Sequence, residues 1–188
     1  LVGWNPGTEQ EIFTKKELVK LFDLARVQKS AGFFNIEKLN WVNKEHIKRL
    51  SIDAQCDYVE QFLPGEVKAL TGYSHEMLLR VTPVIIDYIT HFGEVTEQGE
   101  RGEINYFFKD PTYVKEALFW KSDLDVAHTK EKLDKVLFLL QKVAPEDFTA
   151  DTTKAVLWDF ASEVGRGNVL WPMRYALSGR DKSPDPFA

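Results

Sequence analysis

The sequence predicts an all-α fold, a helical bundle with two helical subdomains. Apolar residues recur three and four positions apart along most of the 188-residue chain, which is the spacing of one buried helical face. Capping residues, glycines and prolines separate these stretches at positions where helices start and stop. No stretch alternates apolar and polar residues with the period of a strand. These three observations together favour helices packed on helices.

The first predicted helix covers residues 15–26. Thr14 and Glu17 form a capping-box pattern at its start, and the residues that share its buried face are Leu18, Leu21, Phe22 and Ala25. A second helix follows Asn35, and its inward positions are Ile36, Leu39, Asn43, Ile47 and Leu50.

A third helical stretch contains Pro83, which should kink or split it because proline lacks an N–H donor and clashes with the preceding turn. Its apolar positions are Leu78, Val81, Ile85, Ile89 and Phe92. The following segment, residues 94–108, carries two glycines and five charged residues. It is interpreted either as a mobile loop or as the joint between two helical bundles.

Three further helices are predicted in the second half of the chain. One ends before Pro145 and presents Leu133, Val136, Leu137 and Leu140; the next ends at Gly165 and presents Val156, Leu157, Phe160 and Val164. The last apolar run starts at Val169, is broken by Ser178 and Gly179, and leads into a polar loop bounded by prolines.

Charge is distributed unevenly along the chain. The net charge is −5 overall, but residues 1–50 carry +3 and residues 164–188 carry +2, whereas the stretch between them carries −10. A polyanion would therefore meet a favourable potential only at the two ends of the chain. Such asymmetry is common in helical proteins, so charge alone does not establish nucleic-acid binding.

The sequence predicts no catalytic residue and no metal site. The histidines are scattered without carboxylate or cysteine partners at ligand spacing, and no glycine-rich nucleotide-binding loop occurs. The single cysteine, Cys56, is interpreted as a small buried residue. No apolar run is long enough to span a membrane and the N-terminus lacks a signal-peptide layout, so a cytoplasmic location without a membrane partner is expected.

The end of the chain gathers groups suited to recognising RNA. Three basic residues and a serine lie around the end of the last predicted helix, where guanidinium and hydroxyl groups can bind phosphates or base edges. These residues are Arg174, Arg180, Lys182 and Ser183. Arg174 interrupts an apolar face, so it needs a partner there; a structural salt bridge is the alternative to a phosphate or a base.

Basic and aromatic residues elsewhere allow two interpretations. Lys29 and Lys38 could contact an RNA backbone, although such lysines usually mark a solvated helix face. Trp41, Trp158 and Trp171 fall within apolar helical patterns, which predicts core packing, with stacking on an unpaired base as the alternative.

Three segments resemble bacterial glutamyl-tRNA synthetases, and they occur in that family's order. GWNPGTEQEIF (3–13) and KSAGFFNIEKLNWVN (29–43) are similar to segments just downstream of the family's catalytic half. VLWPMRYALSGRDKSPDPF (169–187) is similar to its C-terminal signature. In these class I enzymes the nucleotide-binding half is followed by a segment that contacts the tRNA stem. One or two all-helical domains come after that segment and read the anticodon.

The resemblance implies a fragment that corresponds to the second half of such an enzyme. Residues 1–50 would be the end of the stem-contacting segment, 51–108 a first anticodon-binding helical subdomain and 109–188 a second. The family's HIGH and KMSKS motifs are missing, so the chain should be inactive alone and need no cofactor, whereas the parent enzyme would use ATP and Mg. The implied partner is tRNA(Glu), not DNA, and the chain is expected to be a monomer.

The resemblance also carries over individual residues. The family's P-L-R-x-A-L-S/T-G element corresponds to Pro172, Met173, Arg174, Ala176, Leu177, Ser178 and Gly179. Its anticodon-contacting hydroxyl before a proline corresponds to Ser183. Some family members select the third anticodon base with an arginine at a position near Val84, so strict discrimination of glutamate from glutamine anticodons is not implied here.

A function of another class is compatible with the composition. The chain could be a helical protein–protein interaction module without catalytic activity that binds its partner through the acidic middle. The two functions differ in their response to salt, because RNA binding weakens steeply as salt rises and an apolar protein contact does not.

Overall fold

The structure is a computed structural model that describes residues 3–30, 32–121 and 123–188, and these residues are mainly helical. The only contacts of strand type within those ranges are two isolated bridges, Trp4 with Val27 and Trp120 with Asp123. The prediction of an all-α fold is confirmed. The α-helices are α1 (Lys15–Leu21), α2 (Ile36–Lys48), α3 (Ile52–Phe62), α4 (Gly65–Lys68), α5 (His75–Asp87), α6 (Gly93–Glu100), α7 (Val126–Leu140), α8 (Ala150–Val164) and α9 (Arg166–Ser178).

Polar side chains define where most of these helices begin. At each such start the side chain accepts a hydrogen bond from a backbone N–H of the first turn, which has no partner within the helix. Each bond of this kind contributes about 1 kcal/mol. The capping residues are Thr14, Asn35, Ser51, Ser74, Asp125 and Thr149.

The first helix is shorter than its sequence pattern indicated. Helix α1 ends at Leu21, and a separate 3-10 turn covers Leu24–Arg26, so the predicted helix over 15–26 is wrong. Phe22 has an extended backbone, and its ring lies 5.6 Å from that of Trp4. The Asp23 side chain accepts a hydrogen bond from the backbone of Ala25 and starts the 3-10 turn.

Large apolar side chains remain exposed in the first fifty residues. Val19 is 74% exposed and Phe33 is 87% exposed, and no residue of α1 is buried, so the predicted buried face of α1 is wrong. Trp41 is 43% exposed, which contradicts its predicted core position. The described residues do not cover these faces, and periodicity by itself does not identify the surface that would cover them.

A first apolar core lies among α2, α3, α5 and the residues that follow α5. We call it the N-terminal core; its fully buried side chains include Cys56, Val59, Leu78, Ile89, Val95 and Phe108. Helix α5 runs through Pro83 without being split and ends at Asp87, so the predicted stretch to Phe92 is too long. Cys56 is buried as predicted, and burial raises the pKa of its thiol.

The segment 94–108 is largely helical and contributes Val95, Ile104 and Phe108 to the N-terminal core, so its interpretation as a loop is wrong. It contains most of α6 and a 3-10 turn at Asn105–Phe107. A Cβ on Gly99 would lie 2.6 Å from the Pro64 ring, which is closer than a real Cβ comes. Glycine at this position therefore permits the contact between α6 and Pro64. Helix α6 begins without a side-chain cap, which explains why its start carries no sequence signal.

A second apolar core lies among α7, α8 and α9. We call it the C-terminal core; its buried members are Val136, Leu157, Ala161, Val169 and Met173. Gly165 separates α8 from α9 with a φ of +103°, as the predicted helix stop requires. The two cores use residues on different sides of segment 109–125, while the domain limits at 50 and 108 stay predictions. No helix in the described part of the chain is long and apolar enough to cross a membrane.

Candidate functional site

A cleft of about 1030 Å³ lies where the two cores face each other. One wall is formed by residues between 84 and 112, and the other by residues between 174 and 184. The second wall includes four of the six residues proposed from the sequence, namely Arg174, Arg180, Lys182 and Ser183. The structure therefore brings the C-terminal candidate residues together in one cavity.

Gly179 places the loop that carries these residues. It ends α9 in the left-handed conformation, with a φ of +68°, and its N–H donates to the carbonyl of Tyr175 over 2.7 Å. A Cβ at this position would lie 2.6 Å from the carbonyl oxygen of Thr112. Both the backbone angle and the close approach require glycine, so the chain turns here and passes directly against the opposite wall.

Ser178 adds a local network to this turn. Its hydroxyl donates to the carbonyl of Arg174 over 2.9 Å and accepts from the backbone N–H of Arg180 over 3.2 Å. These bonds tie the first residue after the turn to the last turn of α9. The loop 180–184 is thus held from its first residue onwards.

Arg174 is anchored without a carboxylate. Its Nη2 donates to the carbonyl of Asp181 over 2.7 Å, and its guanidinium carbon lies 4.9 Å from the centre of the Trp171 ring. Among the described side chains no acidic group forms an ion pair with it, so the alternative of a structural salt bridge is not found. One of five N–H donors serves that backbone carbonyl, and the planar fork remains suited to a phosphate or a base edge.

Arg180 and Lys182 supply the other positive charges of this wall. The Nη2 of Arg180 crosses the cleft and donates to the carbonyl of Arg101 over 2.8 Å. Lys182 is exposed and forms no ion pair with the carboxylates that the structure describes. The complete lining contains four basic and three acidic side chains, so its electrostatic attraction for a polyanion is weak.

Two buried oxygens in the cleft have no hydrogen-bond partner within the described residues: Asn105 Oδ1 and Ser183 Oγ. They belong to opposite walls. Leaving a buried polar atom unpaired costs about 1–3 kcal/mol, and such atoms are rare in folded proteins. A ligand that offers hydrogen-bonding groups to both walls would remove this cost.

The phenol of Tyr106 adds a neutral donor to the lining. Burial, with a smaller contribution from the nearby Tyr88, raises the pKa of Tyr106 to about 12, although the positive charge of Arg180 opposes both effects. Tyr106 therefore keeps its proton at physiological pH. It can donate a hydrogen bond but presents no negative charge to an anion.

The two lysines proposed from the sequence lie outside this cleft. Lys38 pairs with Glu11, which ties the N-terminal segment to α2, and its side chain stays 53% exposed. Lys29 is exposed between the 3-10 turn and α2. Their predicted contact with a tRNA stem stays a prediction.

The sequence did not indicate the other wall of the cleft. Asn105 was missed because residues 94–108 were interpreted as a loop or a joint, although the run Asn-Tyr-Phe-Phe at 105–108 combines polar and aromatic groups. Tyr88 lies within the third predicted helical stretch, next to the inward position Ile89, and carried no signal of its own. Trp171 packs as predicted, with its ring 5.4 Å from Trp120 and its N–H bonded to the carbonyl of Ala117. Trp158 is partly buried beneath the guanidinium of Arg166.

Comparison with known proteins identifies what the chain is similar to. The model of a family described as an anticodon binding domain matches residues 55–188. A glutamate–tRNA ligase from Clostridium novyi (strain NT) is 36% identical over 197 aligned positions, and the alignment covers 98% of this chain and 37% of that protein. A glutamate–tRNA ligase from Bacillus subtilis (strain 168) is 30% identical over 193 aligned positions, and the alignment covers 98% of this chain and 38% of that protein.

A solved structure shares the fold along the whole chain. The glutamate–tRNA synthetase from Elizabethkingia anophelis superposes with a TM-score of 0.66 and 26% sequence identity, over 100% of this chain and 35% of that one. The chain thus spans a little over a third of the length of the relatives that it matches.

Proposed function

Since this chain belongs to the anticodon binding domain family, we propose that it binds tRNA(Glu) and reads the anticodon in the cleft between its two cores. The observation that carries the proposal is the convergence of Arg174, Arg180, Lys182 and Ser183 on one wall of that cleft. These groups combine a planar guanidinium fork, two further cations and a hydroxyl.

The roles of these groups follow from their chemistry and placement. Arg174 has the donor geometry for a base edge or a phosphate, and Ser183 has a buried hydroxyl that lacks a protein partner. Lys182 is exposed and acts as a charge on the RNA backbone. Arg180 is already bonded to the opposite wall, so its first role is to hold the loop in place.

The reaction belongs to the longer protein in this proposal. The relatives are ligases that join glutamate to tRNA, and this chain corresponds to slightly more than a third of their length. We assign aminoacylation, with its need for ATP and Mg, to the complete ligase. This chain contributes tRNA selection, with the cleft at the anticodon and residues 1–50 at the stem.

Titration with two RNAs at two salt concentrations tests the proposal. The 188-residue chain is titrated with tRNA(Glu) and with the same tRNA carrying a different anticodon, at about 50 and about 200 mM salt. We expect tighter binding of tRNA(Glu), and weaker binding of both RNAs at the higher salt concentration.

Two outcomes would contradict the proposal. Equal affinity for both tRNAs at each salt concentration would show that the cleft does not read the anticodon. Absence of RNA binding, together with a salt-insensitive protein contact, would favour the interaction module that the composition also allows.

A further inference from the structure

The cleft wall opposite α9 carries two side chains that the proposed contacts of Arg174 and Ser183 leave unused. Tyr88 follows the last residue of α5, and Asn105 begins the 3-10 turn after α6. Both line the cleft. Each presents a group for which the described residues offer no partner.

Asn105 holds its carboxamide beside the other wall. A Cβ added to Gly102 would lie 3.3 Å from Asn105 Nδ2 and 3.4 Å from Arg180 Nη2, so both side chains border the same small residue. Asn105 Oδ1 is buried without a hydrogen-bond partner among the described residues. A carboxamide offers a donor next to an acceptor and can bond a base edge with both.

Tyr88 presents an aromatic face to the same space. Its side chain is 54% exposed, and its ring forms no ring–ring pair with the aromatic residues that the structure describes. An exposed ring at the edge of a cleft is a surface on which an unpaired base can stack. Its neighbour Tyr106 is packed on Phe107, with the ring centres 4.3 Å apart, and is less available for stacking.

We propose that Tyr88 and Asn105 form a site for one unstacked RNA base, with the base on the Tyr88 ring and its edge on the Asn105 carboxamide. The site rests on the proposed function, because it supplies a second wall to the same anticodon cleft. Its ligand is a base of single-stranded RNA, since a base in a duplex is stacked on both faces and its pairing edge is occupied. Both side chains belong to the wall on the side of the N-terminal core, so the selected base binds opposite Arg174 and Ser183.

The test uses RNA hairpins with the anticodon stem and loop of tRNA(Glu). One hairpin is intact, three each lack the base at one anticodon position, and one carries a swapped anticodon. Binding of each labelled hairpin to the 188-residue chain is measured by fluorescence anisotropy. The protein variants are Asn105→Ala, Tyr88→Ala and Tyr88→Phe, with Gln61→Ala as the control that removes an exposed amide of α3 outside the cleft.

On the intact hairpin, Asn105→Ala and Tyr88→Ala should each lose about tenfold in affinity. Tyr88→Phe should bind as the unmodified chain does because it keeps the ring, and Gln61→Ala should be unchanged. One of the hairpins that lack a base should bind the unmodified chain about tenfold more weakly. On that hairpin Asn105→Ala should cause no further loss, because the base that it contacts is already missing.

Melting temperatures distinguish recognition from a structural role. Removing an unpartnered buried oxygen should not lower the melting temperature of Asn105→Ala. A lower melting temperature with the same affinity loss on every hairpin would overturn the inference, as would wild-type affinity of Asn105→Ala and Tyr88→Ala on all hairpins. If the unmodified chain does not distinguish the intact from the swapped hairpin, the proposed function fails; if it does and the variants behave like it, only this site fails.

Discussion

Arg180 donates a hydrogen bond from Nη2 to the backbone carbonyl of Arg101, 2.8 Å away and 79 positions earlier in the chain. The donor belongs to the loop after α9, and the acceptor belongs to the residue that directly follows α6. This bond is therefore a direct tie between the two walls of the cleft. It spans the cleft in which an RNA base would have to fit.

Replacing Arg174 with alanine should weaken binding of tRNA(Glu) by about 1–3 kcal/mol, with a smaller loss for a tRNA with a swapped anticodon. The guanidinium that contacts the carbonyl of Asp181 would no longer be available for a base edge. Arg166→Ala is the matched control, because it removes an arginine of the same helix that lies outside the cleft. Affinities and melting temperatures are measured on the same preparations. A stable Arg174→Ala protein that binds both tRNAs like wild type would remove the role assigned to this residue.

Lys182→Ala should weaken the binding of both tRNAs equally, since an exposed ammonium group contacts the RNA backbone and does not distinguish one base from another. A plot of log affinity against log salt should lose about one unit of slope. Lys142→Ala serves as the control, because Lys142 is an exposed lysine over the Phe138 ring away from the cleft. A change in anticodon preference for Lys182→Ala would contradict the backbone role.

Gly179→Ala should destabilise the chain by about 1–3 kcal/mol, because the new Cβ meets the Thr112 carbonyl and the left-handed φ is unfavourable for alanine. Gly65→Ala is the control: a Cβ on Gly65 meets no atom within 4 Å, and alanine suits the helix that it begins. Urea denaturation measures the free energy of unfolding of both variants. Equal stability of the two variants would show that the turn does not depend on glycine.

Tyr73→Phe should make the stability of the chain less dependent on pH. The hydroxyl of Tyr73 donates to Glu60 over 2.7 Å, and this bond, aided by His75, lowers the pKa of Glu60. A carboxyl whose pKa is lowered by folding stabilises the native state above its unfolded pKa of about 4.5, and this stabilisation is lost as pH falls through the folded value. The variant should therefore be about 1 kcal/mol less stable at pH 7, with a smaller difference near pH 4.

The control for this pH effect is Tyr113→Phe, because the hydroxyl of Tyr113 has no hydrogen bond among the described residues and its side chain is 48% exposed. Urea denaturation at a series of pH values gives the stability of each protein. A constant difference between Tyr73→Phe and wild type from pH 7 to pH 4 would show that the hydroxyl does not act through the Glu60 carboxylate.

The isolated chain should not catalyse exchange between ATP and pyrophosphate, even with glutamate and tRNA(Glu) present. Its sequence contains neither a HIGH nor a KMSKS motif. Radiolabelled pyrophosphate measures the exchange, and a heat-treated sample gives the background. Turnover above that background would show that this chain contains a catalytic centre after all.

Local signals in the sequence predicted most helices of the C-terminal core. Helices α8 and α9 end at Gly165 and Gly179, as expected, because glycine adopts a positive φ without strain wherever it stands in the chain. Helix α6 was missed, since it has no capping side chain and owes its position to the contact of Gly99 with Pro64, 35 positions earlier. The end of α1 depends likewise on Phe22 packing against the distant Trp4.

The candidate site likewise contains residues that local sequence signals predicted and residues that only tertiary packing brings in. Arg174 to Ser183 are close in sequence, so a short motif and a helix end were sufficient to group them. Tyr88 and Asn105 join them only through the packing of the two cores, and periodicity contains no information about that packing. That no carboxylate of the described residues forms an ion pair with Arg174 is also a tertiary fact, which left its two interpretations open at the level of sequence.

The two walls of the cleft belong to different apolar cores, and this arrangement has a thermodynamic consequence. A ligand that binds only when both walls are folded stabilises the state in which both cores are folded. It therefore acts as a reversible cross-link between the two cores. Without RNA, the two cores are coupled by their own contacts across the cleft, such as the bond from Arg180 to the Arg101 carbonyl. With RNA bound across the cleft, loss of either core releases the ligand, and heat unfolds both cores in one cooperative transition.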